Sequence, residues 1–340
     1  MERLRKKKGI QAALASAMFL GLAPIFGKQA ILFGFSPIAV TAFRTTMAAL
    51  TLLAFTAIFR RQFLYIFPVG LFGCLLAGFV NGIGSVFYYT ALGRLEAGVG
   101  HMLYAFYPFF IAVMMILERQ PITNLTKLRL TISIPAVFLI VQATGDATVD
   151  LVAAGFMLAS SFFYALHLMI NQRVLFEVPA PTVTVYTLLS MSVTVMLAYV
   201  LFDRAIPAAQ VPWWPVLALA GITALSRLLL FLGVKHLGGM QTAMLGLSEL
   251  LIAIVVSQIW LGERLSLLQW LGAALLSVSL ILVGFDRFSH EPRRRTVWMD
   301  WLNTSRQPQI PNLNDVMNQR VHLSSGKPAN SSLDTGPSQD

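Results

Sequence analysis

The stretch Ala91-Leu92-Gly93-Arg94-Leu95 aligns with Gly233-Val234-Lys235-His236-Leu237 in the second half of the chain. The dyad Glu118-Arg119 aligns in the same way with Glu263-Arg264. The second pair is offset by slightly more than the first, which indicates one short length change inside the fourth apolar stretch of the repeat. Matches in the same order after corresponding apolar stretches are typical of a duplicated unit. The duplication therefore decides the architecture of this chain.

The composition excludes a water-soluble globular protein. Of the 340 residues, 56% are hydrophobic and 12% are charged, whereas soluble domains carry about 25% charged residues. Charged residues are sparser still between Gly9 and Phe285, where most of them lie at the ends of apolar stretches. A lipid bilayer is the environment that can bury so much apolar chain.

Ten apolar stretches are long enough to cross the hydrocarbon core as an α-helix, which takes about 20 residues. They cover residues 10–33, 36–59, 63–86, 97–117, 127–145, 151–172, 181–202, 212–235, 239–260 and 266–285. Membrane-spanning strands are excluded because these stretches do not alternate between apolar and polar residues with period 2. The predicted fold class is all-α integral membrane, with ten transmembrane helices.

Each copy of the repeat holds five spans, and this odd number fixes how the copies are oriented. The second copy must enter the membrane from the opposite side, so the sequence predicts two inverted five-helix repeats. The expected organisation is a basic N-terminus at 1–9, a first repeat at 10–145, a second repeat at 151–285 and a tail at 286–340. The tail is rich in Pro, Ser, Asn and Gln, a composition typical of disorder.

The distribution of Lys and Arg predicts the orientation in the membrane. With the N-terminus in the cytoplasm, the inner segments carry sixteen of these residues and the outer span ends carry four. Ten spans return the C-terminus to the same side, so we expect a multi-pass protein of the cell (cytoplasmic) membrane with both termini in the cytoplasm. The net charge of +10 does not indicate nucleic-acid binding, because the basic residues lie at span ends and in the tails.

Three charged residues lie away from the ends of the predicted spans, where charge is costly and usually functional. Glu249 lies near the centre of the ninth span, Arg44 near the middle of the second and Arg227 in the inner half of the eighth. We interpret Glu249 as a proton-binding carboxylate or a counter-charge for a cationic substrate. A static ion pair with Arg44 or Arg227 is the alternative. Arginine keeps its proton, so each arginine is expected to pair with Glu249 or to bind a substrate carboxylate. Bracing of the helices is the alternative for Arg44, and for Arg227 an extension of the side chain to the cytoplasmic interface is favoured.

Neutral polar side chains at helical spacing extend this predicted pathway. They are Tyr164, His167 and Asn171 in span 6, Asn81 and Tyr89 in span 3, Tyr186 in span 7 and Gln241 in span 9. Such stripes are expected to point into the bundle, although hydrogen bonds between helices produce the same pattern. Single histidines such as His167 and His101 are more often packing residues.

Several of these features occur together in a known order. They are the basic N-terminus, five plus five spans, Lys28 near the end of span 1, Arg44 within Thr41-Ala42-Phe43-Arg44-Thr45-Thr46, and Leu261-Gly262-Glu263-Arg264-Leu265-Ser266 followed by Gly272. In this respect the chain resembles the EamA family of the drug/metabolite transporter superfamily over roughly residues 10–285. The resemblance implies a central cavity lined by helices 1 to 4 and 6 to 9, with helices 5 and 10 at the periphery.

The predicted function is a secondary active transporter that exports a small organic metabolite, an amino-acid-like compound or an organic cation. Its mechanism would be alternating access, with proton coupling through Glu249. An intramembrane enzyme and a channel are the alternatives, but the chain contains no H-E-x-x-H, G-x-S-x-G or filter sequence. We expect no cofactor and no metal. The expected partners are a small-molecule substrate and the lipid bilayer, and a homo-oligomer is left open.

The predicted topology can be tested with reporter fusions. Reporters fused after Arg61 and Asp340 should be active in the cytoplasm and one after Asp146 should be active outside, because the basic residues cluster on the inner side. Paired alkaline phosphatase and fluorescent protein fusions give opposite signals for the two sides. A reversed signal at any of the three positions would contradict the topology.

Overall fold

A computed structural model describes residues 2–117, 124–142, 150–205, 210–246 and 248–282. Within these ranges the regular secondary structure is helical throughout. The described residues belong to one compact unit. The all-α class predicted from the sequence is confirmed for this part of the chain.

The helices follow each other with short connections. They are α1 (Glu2–Leu32), α2 (Pro37–Phe59), α3 (Pro68–Arg94), α4 (Ala97–Tyr104), α5 (Tyr107–Leu117), α6 (Asn124–Gln142), α7 (Leu151–Val174), α8 (Ala180–Phe202), α9 (Trp214–Leu237), α10 (Gly239–Gly246), α11 (Ser248–Val256) and α12 (Leu267–Ile281). A 3₁₀ turn at Arg61–Leu64 precedes α3, and a π-helical turn at Ser257–Leu261 continues α11.

Seven helical segments of the described chain are long and apolar enough to cross a membrane. They are α1 from Lys7 onward, α2, α3, α4 together with α5, α7, α8 and α9. A shorter apolar segment covers Ser248–Leu261, and α6 and α12 occupy the fifth and tenth predicted spans. Seven of the ten predicted spans are confirmed by length and composition, and the described residues of the other three are largely helical.

The distribution of exposure is the reverse of that in a soluble protein. Large apolar side chains cover the outside: Phe202 is 78% exposed and Phe59 is 66% exposed. Charged side chains lie inside the bundle instead, and Glu249 is 1% exposed. This arrangement is expected where hydrocarbon surrounds the protein, because an ionised group in lipid would have no partner.

The fourth helix of the first copy is broken. Eight-residue α4 ends at Tyr104 and α5 begins at Tyr107. In the second copy, α10 and α11 occupy the equivalent span on either side of Leu247, which lies outside the described residues. The starts of α4 and α10 are as far apart in the chain as Ala91 and Gly233, so they follow the register of the sequence repeat. The predicted fourth span is therefore a pair of half-helices, a feature of substrate sites in many transporters.

Packing between equivalent helices shows that the copies are inverted. Helix α2 of the first copy corresponds to α8 of the second, and the two pack against each other. Phe43 contacts Tyr199, with ring centroids 5.3 Å apart, and Ser192 donates a hydrogen bond to Thr46 at 2.9 Å. Residue numbers rise along α2 while those of their partners fall along α8, so equivalent helices run in opposite directions.

The two copies are also interleaved. The first helix of each copy packs along the third helix of the other: α1 lies against α9, and α7 lies against α3. Ser16 of α1 donates a hydrogen bond to the carbonyl oxygen of Ser226 at 2.9 Å, and His167 of α7 reaches the carbonyl oxygen of Ala77 at 3.0 Å. Each half therefore completes the core of the other.

Proline positions explain where the structure departs from the predicted bounds. The third span was expected at 63–86, but α3 covers Pro68–Arg94. Pro68 cannot donate the hydrogen bond of a helix interior, so it starts the helix, where that bond is not required. Pro37 and Pro215 occupy the first turns of α2 and α9 for the same reason.

A polar cluster ties the second copy to the first near the end of α3. Both carboxylate oxygens of Glu263 accept hydrogen bonds from the first backbone amides of α4, those of Ala97 at 2.6 Å and Gly98 at 2.9 Å. The ammonium group of Lys28 donates to the carbonyl oxygens of Leu92 and Leu95 at 2.9 and 2.7 Å. Glu263 thus acts as a helix cap supplied by the other copy. The equivalent dyad Glu118-Arg119, the external site Asp146 and the tail at 286–340 lie outside the described residues.

Glycines allow α3 to approach its neighbours closely. A Cβ atom on Gly78 would collide with the carbonyl oxygen of Thr187 and would lie 2.5 Å from the Cβ atom of Ser190. A Cβ atom on Gly82 would lie 2.7 Å from that of Thr194. These contacts with α8 are of the kind that small residues permit between membrane helices.

Replacing Gly78 should therefore destabilise the bundle. Gly78→Ala places a methyl group against the backbone of α8, and overpacking of this kind costs about 1–3 kcal/mol. Gly221→Ala is the matched control, because a Cβ atom there meets nothing within 4 Å and alanine favours the helix. Thermal unfolding of the detergent-purified proteins measures both. Equal melting temperatures for the two variants would contradict the proposed packing of α3 on α8.

Candidate functional site

A cavity of about 50 Å³ lies inside the bundle, between helices of both copies. Helices α1, α2, α3 and α4 line it from the first copy, and α7, α9 and α11 line it from the second. The lining residues are Leu20, Ala23, Arg44, Asn81, Gly84, Ser85, Tyr88, Tyr89, His101, Tyr104, Ser160, Tyr164, Arg227 and Glu249. Six of the ten residues predicted from the sequence are among them: Arg44, Asn81, Tyr89, Tyr164, Arg227 and Glu249.

Glu249 lies on α11 in the ninth span. Helix α1 approaches it so closely that a Cβ atom on Gly21 would lie 2.7 Å from the carbonyl oxygen of Glu249. The side chain is 1% exposed, and its Oε1 atom has no hydrogen-bond partner among the described residues.

His101 of α4 lies beside the Glu249 carboxylate. Its Nε2 atom lies 3.7 Å from Oε1 of Glu249, without a hydrogen bond. Its Nδ1 atom lies 3.4 Å from the hydroxyl oxygen of Tyr88. From the sequence, His101 was expected to be a packing residue, because it lies close to the predicted start of span 4. The structure places it in the cavity wall.

Arg44 of α2 is 6% exposed and is held by two groups. Its Nη1 atom donates a hydrogen bond to the hydroxyl oxygen of Thr223 at 2.9 Å, and its guanidinium carbon lies 4.6 Å from the ring centroid of Tyr89. The second contact is within the range of a cation–π interaction. The Nε atom of Arg44 has no partner within the described residues, so the guanidinium keeps a donor for another group.

Arg227 of α9 is also 6% exposed, and His167 positions it. The Nη1 atom of Arg227 lies 3.3 Å from Nε2 of His167, while Nδ1 of His167 lies 3.0 Å from the carbonyl oxygen of Ala77. Arginine can only donate hydrogen bonds, so Nε2 accepts and Nδ1 carries the proton. The guanidinium carbon also lies 5.3 Å from the ring centroid of Tyr164. His167 thus supports Arg227 from behind and does not line the cavity.

The static ion pair between Glu249 and an arginine is not present. Neither Arg44 nor Arg227 lies within salt-bridge distance of Glu249 in the described structure, and the one charge partner within 4 Å of its carboxylate is His101. The two arginines are stabilised by aromatic rings, a hydroxyl group and an imidazole instead. All three charged side chains are therefore available to a ligand.

The remaining predicted residues lie away from the cavity. Asn171 donates to the carbonyl oxygen of His167 at 2.9 Å, and it belongs to the support of Arg227. Tyr186 donates to the carbonyl oxygen of Leu64 at 2.6 Å, near the turn before α3. Gln241 lies on α10 and is partly exposed, and it is not part of the cavity lining.

Tyrosines form much of the cavity wall, and the sequence identified only part of this group. Tyr104 lies 5.0 Å from Tyr88 and 5.2 Å from Tyr164 between ring centroids. Tyr107 packs on Tyr164 with centroids 4.9 Å apart, and its hydroxyl oxygen would lie 2.5 Å from a Cβ atom on Gly246. The break in the first copy therefore lies against α10 of the second copy. Proximity to the first-copy break was the missing signal.

The described residues contain no group of three or more His, Cys, Asp or Glu side chains that could hold a metal ion. The chemistry available in the cavity is instead that of charges and hydrogen-bond donors on a rigid aromatic wall. Such a wall can bind and orient a small solute, which makes this cavity the candidate site.

Comparisons with known proteins agree with the fold. The model of the EamA-like transporter family matches residues 7–142 and 151–285. A solved structure titled "Crystal structure of protein" is 16% identical and covers 80% of this chain and 97% of its own, with a TM-score of 0.54. At this identity the likeness shows the fold alone. Comparison with curated proteins gave no match.

The two family matches cover most of the chain, and each contains one copy of the inverted repeat. The apolar helices and the enclosed charges agree with a protein that lies within a bilayer. The chain therefore belongs to the EamA-like transporter family and is a multi-pass membrane transporter of the drug/metabolite type.

Proposed function

We propose that this protein is a secondary active transporter that exports a small organic metabolite across the cell membrane by alternating access. The cavity between the two copies would be the substrate site, and both termini would lie in the cytoplasm. The observation that carries the proposal is the position of this cavity between helices of two inverted copies, beside the break between α4 and α5. A site in that position can be opened to either side by rocking one half against the other.

Glu249 is the group that we assign to proton coupling. It is enclosed and has no salt bridge to either arginine in the described structure. A carboxylate that exchanges a proton as the site changes its access can couple solute movement to a proton gradient. The charged and titratable side chains around it are His101, Tyr88, Tyr104, Tyr107, Tyr164, Arg44 and Arg227.

The solute can be found without assuming its identity. Metabolite profiles of cells with and without the protein should differ in one compound or a small group, which is then tested in proteoliposomes. Saturable flux with counterflow supports a carrier. Export is supported if the solute moves from the side of the vesicle membrane that carries the cytoplasmic face of the protein to the opposite side. Single-channel conductance or turnover of a lipid would instead support the channel or the enzyme and would contradict this proposal.

Glu249→Gln should abolish the pH dependence of that flux, because the amide keeps the shape of the side chain but binds no proton. His101→Gln should leave part of the pH dependence, since His101 is the neighbour of the carboxylate and not the assigned proton carrier. The measurement is the initial rate of flux in proteoliposomes between pH 6 and pH 8.5, with the amount of inserted protein determined by gel.

Asp203→Asn is the matched control, because Asp203 lies at the end of α8 outside the cavity lining. Its flux and pH profile should equal those of the unchanged protein. A normal pH profile in Glu249→Gln would remove Glu249 from the coupling mechanism.

A further inference from the structure

The cavity wall contains more positive than negative charge. Arg44 and Arg227 line it together with a single carboxylate, that of Glu249. Protonation of Glu249 or of His101 would only increase this excess. The lining therefore attracts anions in every protonation state of its residues.

Hydrogen-bonding groups in the wall show the same bias. The guanidinium groups donate only, and the tyrosine hydroxyls of Tyr88, Tyr104 and Tyr164 can donate as well. The Nε donor of Arg44 is buried and has no partner in the described part of the chain. A negatively charged ligand oxygen is the acceptor that such a donor lacks, and hydrogen bonds to an ionised group are the stronger kind.

The two guanidinium groups are close enough to act on one small ligand. Arg44 bonds to Thr223, and Arg227 follows Thr223 by four residues on α9, which is about one helical turn. Tyr89 and Tyr164 hold the two groups by their ring faces. A guanidinium carries five N–H donors, so these contacts and the single Nη1 contacts to Thr223 and His167 leave donors on both groups for a ligand.

The volume of the cavity limits the size of this ligand. About 50 Å³ accommodates about four water molecules. A carboxylate with one or two further carbon atoms has a similar number of non-hydrogen atoms. Larger substrates would require the halves to separate.

From these observations we infer that the substrate is a small organic anion, whose carboxylate binds between Arg44 and Arg227. The inference rests on the proposed function, and it narrows the substrate to one charge class. An ionised Glu249 repels the bound anion, so a proton on Glu249 and the anion bind cooperatively. The transported species would then be an anion together with a proton.

Three planar compounds of equal size separate the charge classes: acetate, acetamide and acetamidinium. The purified full-length protein is melted in detergent with each compound at constant ionic strength, at pH 6 and at pH 9. Acetate should raise the melting temperature because it binds the folded state, and more strongly at pH 6 than at pH 9. Acetamide and acetamidinium should leave the melting temperature unchanged.

Substitutions of the charged residues should change acetate binding in opposite directions. Arg44→Gln and Arg227→Gln should each weaken acetate binding by about tenfold or more. Glu249→Gln should strengthen it by about tenfold at pH 9 and should remove its pH dependence. At a cation site, the same substitution would abolish binding. Arg204→Gln, which alters an exposed arginine at the end of α8, should bind acetate like the unchanged protein.

Stabilisation by acetamidinium, or by none of the three compounds, would overturn the inference. Weaker acetate binding in Glu249→Gln would overturn it as well, and this isosteric variant does not depend on whether the arginine variants fold. This outcome can be distinguished from that of the flux experiments. Counterflow of a cation would support the transporter function and contradict the anionic substrate. Acetate binding without any counterflow would support the anion site and contradict the transporter function.

Discussion

Charged side chains inside a membrane-spanning bundle must find their partners within the protein, because hydrocarbon offers none. Three such side chains, Glu249, Arg44 and Arg227, are enclosed here at 1–6% exposure. Seven of the described helices surround them, and the apolar faces of those helices are turned to the lipid. The interleaving of the two copies follows from this requirement. If each half formed its own bundle, the arginine of one half could not share a cavity with the carboxylate and aromatic residues of the other.

The duplication supplies the scaffold, and differences between the copies supply the chemistry. In the register that pairs Ala97 with Gly239, Tyr107 is the first-copy equivalent of Glu249. The same position therefore presents a phenol in one copy and a carboxylate in the other. Glu263 caps α4 across the copies. A symmetric scaffold that carries an asymmetric site can rock between two equivalent states and still bind its solute in a single orientation.

The sequence was sufficient for features with a direct signal in the residue pattern. Aligned motifs predicted the inverted duplication, and long apolar stretches predicted the all-α class. Arg44, Arg227 and Glu249 could be predicted because a charge inside an apolar span is unusual. Residues that depend on irregular backbone could not. Periodicity assumes a continuous helix, so it did not identify His101 and Tyr104 of span 4 as cavity residues. The break after Tyr104 has no strong local signal, since Pro108 alone marks it.

The separation of Glu249 from the arginines is informative because the opposite arrangement would have been easy to build. A carboxylate beside a guanidinium would neutralise both charges and would join α11 to α2 or α9. The chain instead holds Arg227 through His167, which is fixed by the backbone of α3, and it holds Arg44 through Thr223 and Tyr89. These partners are neutral, so they stabilise the guanidinium groups without cancelling their charge. The cavity therefore keeps the charge of its arginines, and in the proposed mechanism the substrate rather than an internal ion pair balances it.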